Sequence, residues 1–253
     1  MREAAAATPT IPAFLIFVLW LGVAVLVTVG VGASLGRGAF PGDFAARADP
    51  IRQRAYDALH RQDPFAAERP GEIRHFDGRF GANRFLTLLH VLPGGVFLVL
   101  APLQFSSRLR NRHIRFHRWS GRALLVIAFA ATLAGLVFGL RTPYGGAWET
   151  AAISLFGGLF LAFLVRAFLA IRRRQVERHR EWMIRAFSLA IGISTVRIVG
   201  MAFDVFLTPA GFRPKEIFTL SLWTGWTLTL AAAELWIRYS RSRIGALTPS
   251  TTG

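Results

Sequence analysis

The chain has 253 residues, of which 53% are hydrophobic, and it carries a formal net charge of +16. Its apolar residues gather into runs of about 20 with few charges, the length that crosses a hydrocarbon core roughly 30 Å thick, which excludes an ordinary soluble domain. Cysteine is absent, which excludes disulfides, iron–sulfur clusters and thiolate zinc sites, so a metal or haem would need His, Met or carboxylate ligands.

Six apolar runs, each ended by Arg, Pro or Gly, predict six transmembrane helices at residues 11–33, 84–105, 121–141, 150–171, 185–207 and 217–238. The first run is longer than the apolar core of a signal peptide, which has about 7–15 residues, so we expect it to be retained. The fold class expected is an all-α polytopic membrane helix bundle with a core of helices two to five.

The connection between the first and second predicted helices is long and mixes acidic with basic side chains. Because long translocated segments follow the charge rule poorly, we expect this connection outside, with one amphipathic helix near Ile51 to His60. The sequence thus divides into an N-terminal transmembrane helix, an outer periplasmic segment, a five-helix membrane domain and a cytoplasmic tail, at residues 1–33, 34–83, 84–238 and 239–253.

The positive charge comes from 29 Arg and a single Lys against 14 acidic residues, a usage typical of GC-rich bacterial genomes. Most of the unbalanced Arg lies in two short loops, 108–118 and 172–180, and in the tail. Short basic loops stay in the cytoplasm, so both termini are expected there, in a bacterial inner membrane. The expected partners are the lipid bilayer and, at these two loops, anionic lipid headgroups; nucleic acid is not expected.

A weak internal repeat opens the third and fifth predicted helices. The motifs are HRWSGR at 117–122 and HREWMIR at 179–185, each with His-Arg, then Trp, then Arg three residues later. They indicate two hairpins of the same orientation. The alternative is that Arg and Trp are simply common at membrane interfaces.

A wider set of blocks surrounds this repeat in a fixed order. These blocks are His90 with GG at 94–95, APLQF at 101–105, the two His-Arg motifs, Arg197, and AEL at 233–235. In this order and spacing the chain resembles, from about residue 84 to 238, the uncharacterised bacterial membrane family catalogued as domain of unknown function 2306. The resemblance implies a multi-pass membrane protein and brings no established activity.

His117 and His179 are candidate ligands of a b-type haem. They begin helices three and five at the same predicted depth, and a haem clamped between two helices takes one imidazole from each. The pattern is similar to, but sparser than, that of transmembrane b-type cytochromes that shuttle electrons from ascorbate, because His90 would need His60 or His75 as a partner. The alternative is that both side chains cap helices or bind lipid phosphate.

His90 and Arg197 predict a polar pocket that faces outward. His90 lies about 7 Å inside its helix at ~1.5 Å per residue. Arg197 is too far from either helix end to reach water easily, and a buried Arg costs at least ~2.5 kcal/mol unless it is paired or hydrated. We expect the pocket to bind a small polar or anionic molecule, with Asp204 as the counter-ion of Arg197. The alternative is an internal Arg bridge that only orients helices.

Other motifs predict packing and leave the chemistry open. Gly135 with Gly139, and Ser188 with Gly192, have the spacing that lets helices approach closely, and Glu234 is expected to pair with Arg238. No HExxH motif, phosphate-binding Gly loop or Ser-His-Asp order is visible, so no catalytic residue is assigned and no metal site is expected. Two function classes stay open: a protein that binds a small molecule without a cofactor, and a haem-dependent redox protein.

Overall fold

The structure is a computed structural model that describes residues 12–59 and 61–245. These residues form nine α-helices and no strand, which confirms the predicted all-α membrane helix bundle. The helices are α1 (Ala13–Ala39), α2 (Phe44–Ala58), α3 (Arg69–Ala82), α4 (Arg84–Gln104), α5 (Ser107–Arg112), α6 (Ile114–Arg141), α7 (Ala147–Arg172), α8 (Val176–Leu207) and α9 (Pro214–Gly245). The predicted helix start at Ile11, His60 and residues 246–253 of the predicted tail lie outside the described residues.

Five helices are long and apolar enough to cross a membrane: α1, α4, α6, α7 and α8. The inner four of them, α4, α6, α7 and α8, supply the predicted core of helices two to five. Phe97 of α4 meets Phe160 of α7 edge to face, with ring centroids 6.1 Å apart. Between them the helices present small buried residues such as Ala128, Ala152 and Ala186, which let the backbones approach closely.

α9 occupies the place of the sixth predicted span and runs the full height of the bundle. Near its start the ring of Phe218 lies 5.9 Å from that of Tyr144, and near its end Arg241 pairs with Glu181 at the start of α8. α9 packs tightly on α8, because a Cβ atom added at Gly225 would lie 2.6 Å from Cα of Val196. Its apolar stretch is diluted by Ser, Thr and Trp, so it is not among the five most apolar helices.

Several helices extend past the apolar runs that predicted them. α6 begins at Ile114 and α8 at Val176, so the Arg-rich segments before the runs are helical as well. Arg is a good helix former, whereas hydropathy marks only the part of a helix that suits lipid. The helix expected near Ile51 to His60 corresponds to α2, while α3 and α5 were not expected.

Residues 40–83, which contain α2 and α3, form a cap over one end of the bundle, here called the cap end. The Asp77 carboxylate is 1% exposed; Arg37 Nη1 of α1 donates to it over 2.5 Å, and the backbone N–H groups of Ala45 and Ala46 donate to it at the start of α2. Tyr56 Oη donates to the backbone oxygen of Asp204 over 2.6 Å. These bonds dock the cap on α1 and α8. The opposite end, with the connections 105–113 and 173–175, is the loop end.

Candidate functional site: an arginine without a counter-ion

Arg197 lies in α8 without an acidic partner. Its Nη1 donates to the backbone oxygen of Ile193, one turn earlier, over 3.1 Å. No carboxylate oxygen of the described residues lies within 4.0 Å of its guanidinium group. The charge of Arg37 also acts on it, but Asp77 pairs with Arg37. The side chain is half-buried. The protein therefore covers part of the guanidinium group and supplies no acidic partner for it among the described residues.

The predicted ion pair between Arg197 and Asp204 is not formed, so this prediction was wrong. The two residues stand seven positions apart, which is about 10 Å along a helix axis. Arg69 Nη2 of the cap lies 3.3 Å from Asp204 Oδ1, and Arg52 Nε lies 3.8 Å from Oδ2. The cap therefore takes the acid that was expected to neutralise Arg197.

Asp204 belongs instead to an ion cluster between the cap and α8. Arg69 Nε also donates to Asp63 Oδ2 over 2.6 Å, and Arg52 Nη1 donates to the same oxygen over 3.0 Å. Burial alone would raise the pKa of Asp63, but the hydrogen bonds from Arg69 and the Phe65 N–H, with the charges of Arg69 and Arg52, lower it. Asp63 is therefore ionised at neutral pH.

His90 lies at the contact between α4 and α6. Its Nδ1 is 2.8 Å from the backbone oxygen of Ala131, and a Cβ atom added at Gly135 would lie 2.6 Å from that nitrogen. The ring thus covers Gly135, which confirms the close packing predicted for this glycine. Nε2 has no hydrogen-bond partner among the described residues, and the charge of Arg197 acts on the imidazole. The charge of Arg197 reaches the imidazole, but no hydrogen bond joins the two side chains in the described residues.

Two hydroxyl groups lie in the same turn of α8 as Arg197. Ser194 Oγ and Thr195 Oγ1 are both buried and have no hydrogen-bond partner among the residues that the structure describes. Ser194 is fully buried, and a Cβ atom added at Gly30 of α1 would lie 2.7 Å from its Oγ. A buried polar atom without a partner costs about 1–3 kcal/mol, so such atoms usually have one, water or ligand included. Thr195, two positions before Arg197, points to another face of α8, so we call His90, Ser194 and Arg197 the polar site.

The two haem-ligand candidates lie together at the loop end. His179 Nδ1 is 2.9 Å from the backbone oxygen of Ala167, and His117 Nδ1 is buried without a partner in the described part of the chain. The charges of the two imidazoles act on each other, so the starts of α6 and α8 are at the same end of the bundle, as the internal repeat predicts. An imidazole whose Nδ1 donates to a backbone carbonyl is held in the orientation and tautomer that present Nε2 to a metal. His179 fits that role, and His117 lacks the supporting carbonyl.

Ion pairs at the loop end differ from the one predicted. Glu234 pairs with Arg185 of α8, through Nε and Nη2 at 2.5 and 2.9 Å, where a pair with Arg238 was expected. The bidentate geometry and the tight α8–α9 packing favour the partner on the neighbouring helix. Beside this pair a shallow depression of about 180 Å³ carries Arg166, Arg173 and Trp182 in its wall.

A buried ion pair between the cap and α7 was not predicted from the sequence. Arg79 Nη1 donates to Glu149 Oε1 and to the backbone oxygen of Thr142, each over 3.0 Å. Glu149 is 1% exposed and also accepts from the N–H groups of Tyr144 and Gly145. Burial lowers the pKa of Arg79, an effect that the charge of Glu149 opposes. The partners stand 70 positions apart, so no local pattern could have revealed them.

Comparison with known proteins gives one match. A family model described as "Predicted membrane protein (DUF2306)" matches residues 87–237, well over half of the chain. The match includes His90, His117, His179 and Arg197, and it leaves out α1 and the cap. No curated protein and no solved structure matches the chain.

Proposed function

The chain belongs to the DUF2306 family of predicted membrane proteins, and we propose that it binds a small anionic molecule at the polar site. The observation that carries the proposal is Arg197, whose charge has no carboxylate partner in the described residues. An intramembrane ionisable side chain that faces a bundle interior is a usual mark of a binding or transport pathway.

The chemistry of the polar site favours an anion with several acceptor oxygens. Arg197 supplies guanidinium donors, of which Nη1 is engaged by the backbone oxygen of Ile193. Ser194 supplies a hydroxyl group and His90 supplies Nε2, and neither atom has a hydrogen-bond partner among the described residues. Guanidinium groups bind carboxylate and phosphate oxygens through paired hydrogen bonds.

The position of the polar site supports access from the cap end. Arg197 lies ten residues before the end of α8 at Leu207, and His90 lies six residues after the start of α4 at Arg84. Both are therefore in the half of the bundle nearer the cap. A ligand would enter between α1, α4 and α8.

The test is a thermal unfolding titration of the detergent-solubilised protein with phosphate, sulfate, acetate and succinate in turn. We expect at least one anion to stabilise the wild type. Loss of one charge-assisted contact of about 1.5–3 kcal/mol should weaken its binding roughly 10- to 100-fold in Arg197→Ala. His90→Ala should weaken anion binding less than Arg197→Ala does. Arg115 is an exposed residue at the loop end, so Arg115→Ala should leave anion binding unchanged. Equal binding by Arg197→Ala and wild type, or no response to any anion, would overturn the proposal.

A second candidate function is binding of a b-type haem by His117 and His179. The supporting observation is that the two imidazoles interact electrostatically, with Nδ1 of His179 held by a backbone carbonyl. Bound haem would supply one-electron redox chemistry. Protein expressed with excess haem should then show a Soret band that shifts with dithionite, lost in His117→Ala and His179→Ala and kept in the exposed control His113→Ala. A wild-type spectrum without a Soret band removes this candidate.

We also propose that the loop end faces the cytoplasm of an inner membrane, with both termini there and the cap outside. The four-part division of the chain, with its five-helix membrane domain at 84–238, belongs to this proposal. Because the chain has no cysteine, single-cysteine variants report topology directly. Arg112→Cys and Arg172→Cys should be protected from an impermeant thiol reagent in intact cells, whereas Glu68→Cys in the cap should react. Protection of Glu68→Cys together with labelling of the other two contradicts the proposal.

Anionic lipid headgroups are the proposed partners of the loop end. The depression beside Trp182 has Arg166 in its wall, with the guanidinium 5.0 Å from the centroid of the indole ring. Basic and aromatic side chains together are typical of headgroup contacts. Thermal stabilisation by phosphatidylglycerol over phosphatidylcholine, reduced in Arg173→Gln, would support this; an equal response to both lipids would oppose it.

A further inference from the structure

A second positively charged feature lies at the cap end, apart from the polar site. An open groove of about 530 Å³ runs between α3 and the connection from α6 to α7. Arg74 and His75 of α3 form one wall, and Arg141, the last residue of α6, stands on the other. None of the residues that line the groove is acidic.

Two of the three arginines that line the groove carry a charge that is unpaired among the described residues. Arg74 and Arg141 are both exposed, and neither makes an ion pair or a side-chain hydrogen bond with any residue that the structure describes. Arg79 beneath them is different, because Glu149 neutralises it. The groove therefore carries two positive charges that are unpaired among the described residues.

Hydrogen bonds hold the walls of the groove in place, and these bonds do not involve Arg74 or Arg141. Arg79 ties α3 to the backbone oxygen of Thr142 over 3.0 Å, so the two walls cannot separate freely. Asn83 Nδ2 donates to the backbone oxygen of Arg79, and Thr142 Oγ1 donates to that of Phe138. The strong donors that remain are the guanidinium groups of Arg74 and Arg141 and the imidazole of His75. They line the groove from α3 and from the end of α6.

We propose that this groove is a binding site for a phosphate group. Two guanidinium groups on a fixed frame suit a tetrahedral oxyanion, which accepts paired hydrogen bonds on each face. The phosphate has two sources that share this chemistry: a free anion, or the headgroup of a phospholipid, because the groove lies where α4 begins and α6 ends. The volume is within the range of small-molecule sites, about 300–1,000 Å³, and accommodates either.

The experiment uses the full chain in a lipid-free detergent with two probes, inorganic phosphate and a short-chain phosphatidylglycerol, each titrated while thermal unfolding is followed. We compare the wild type with Arg74→Gln, Arg141→Gln and the double variant. Arg54→Gln in α2 is the matched control, since Arg54 is also exposed and unpaired. The substituted side chains have no partners, so all variants should fold, and circular dichroism checks this.

Stabilisation by one or both probes that falls about tenfold or more in affinity in the double variant, and is unchanged in Arg54→Gln, supports the site. A response to inorganic phosphate alone assigns a free anion, and a response to phosphatidylglycerol alone assigns a lipid headgroup. Absence of any response, or equal responses in wild type and double variant, overturns the proposal. Arg197→Ala should leave this response unchanged, which separates the groove from the polar site.

Discussion

Arg79 of α3 and Glu149 of α7 form a buried ion pair, with Nη1 3.0 Å from Oε1. The guanidinium carbon also lies between 4.4 and 5.8 Å from the centroids of five aromatic rings, those of Phe76, Phe80, Phe138, Tyr144 and Phe218. These rings come from the cap, α6, the following connection and α9. One charged side chain therefore gathers four parts of the chain around itself.

Replacement of Glu149 by Ala should destabilise the protein strongly. Removal of one partner of a buried pair leaves an uncompensated charge and typically costs about 3–5 kcal/mol. For a chain of this size that corresponds to a fall of roughly 6–20 °C in the midpoint of thermal unfolding in detergent. Glu177→Ala, at an exposed position without a partner, is the control. A double change of Arg79→Met with Glu149→Leu should cost less than Glu149→Ala alone; a larger cost would refute this account.

Replacement of Asp77 by Ala should release α2 from the bundle. The change removes the partner of Arg37 and the acceptor of the Ala45 and Ala46 N–H groups. Hydrogen exchange over residues 44–58 should accelerate, while exchange in α7 should change little. Asp57→Ala, on the exposed side of α2, should leave exchange as in the wild type. Uniform protection of α2 in both variants would show that other contacts hold the cap.

Acid should weaken the cap through Asp63. The pKa of this carboxyl group in the folded protein lies below its ordinary value of 3.8, so its ionised form stabilises the fold at higher pH. That contribution is lost as the pH falls through the folded-state pKa. The stability difference between wild type and Asp63→Asn, measured by thermal unfolding, should therefore shrink from about pH 6 to about pH 3. A difference that stays constant over this range would contradict the assignment.

Replacement of Gly225 by Ala should push α9 away from α8. The new Cβ atom would lie 2.6 Å from both Cα and N of Val196, which are backbone atoms that cannot rotate aside. Overpacking of this kind costs about 1–3 kcal/mol. Gly158→Ala in α7 is the matched control, because nothing lies within 4 Å of a Cβ atom there. Equal thermal midpoints for the two variants would show that the helices can separate without cost.

The membrane helices were predictable because hydropathy and length are local properties. α4 and α7 begin and end close to the apolar runs 84–105 and 150–171. The shared depth of His117 and His179 was also predictable, since a repeated motif marks the same point in two hairpins. The cap was not, because its stability comes from pairs such as Arg69 with Asp204, which are 135 positions apart.

The candidate site was predictable in part for the same reason. A lone Arg inside an apolar run is visible in sequence, and so are His90 and its Pro-containing helix. Whether an acidic side chain reaches Arg197 depends on the position of α2 and α3 over α8. The tertiary structure of the whole bundle sets that position. The expected partner Asp204 was already engaged by Arg52 and Arg69.

The distance along the chain between the cap's arginines and their acids has a consequence for biosynthesis. Arg69 and Arg79 leave the ribosome well before Asp204 and Glu149, by 135 and 70 residues respectively. Until α7 and α8 have been inserted, Arg79 lacks Glu149, and Arg69 can pair with Asp63 of its own segment but not with Asp204. Closure of the cap is therefore a late step in assembly, because its ion pairs with Glu149 and Asp204 can form only after α7 and α8 have been inserted.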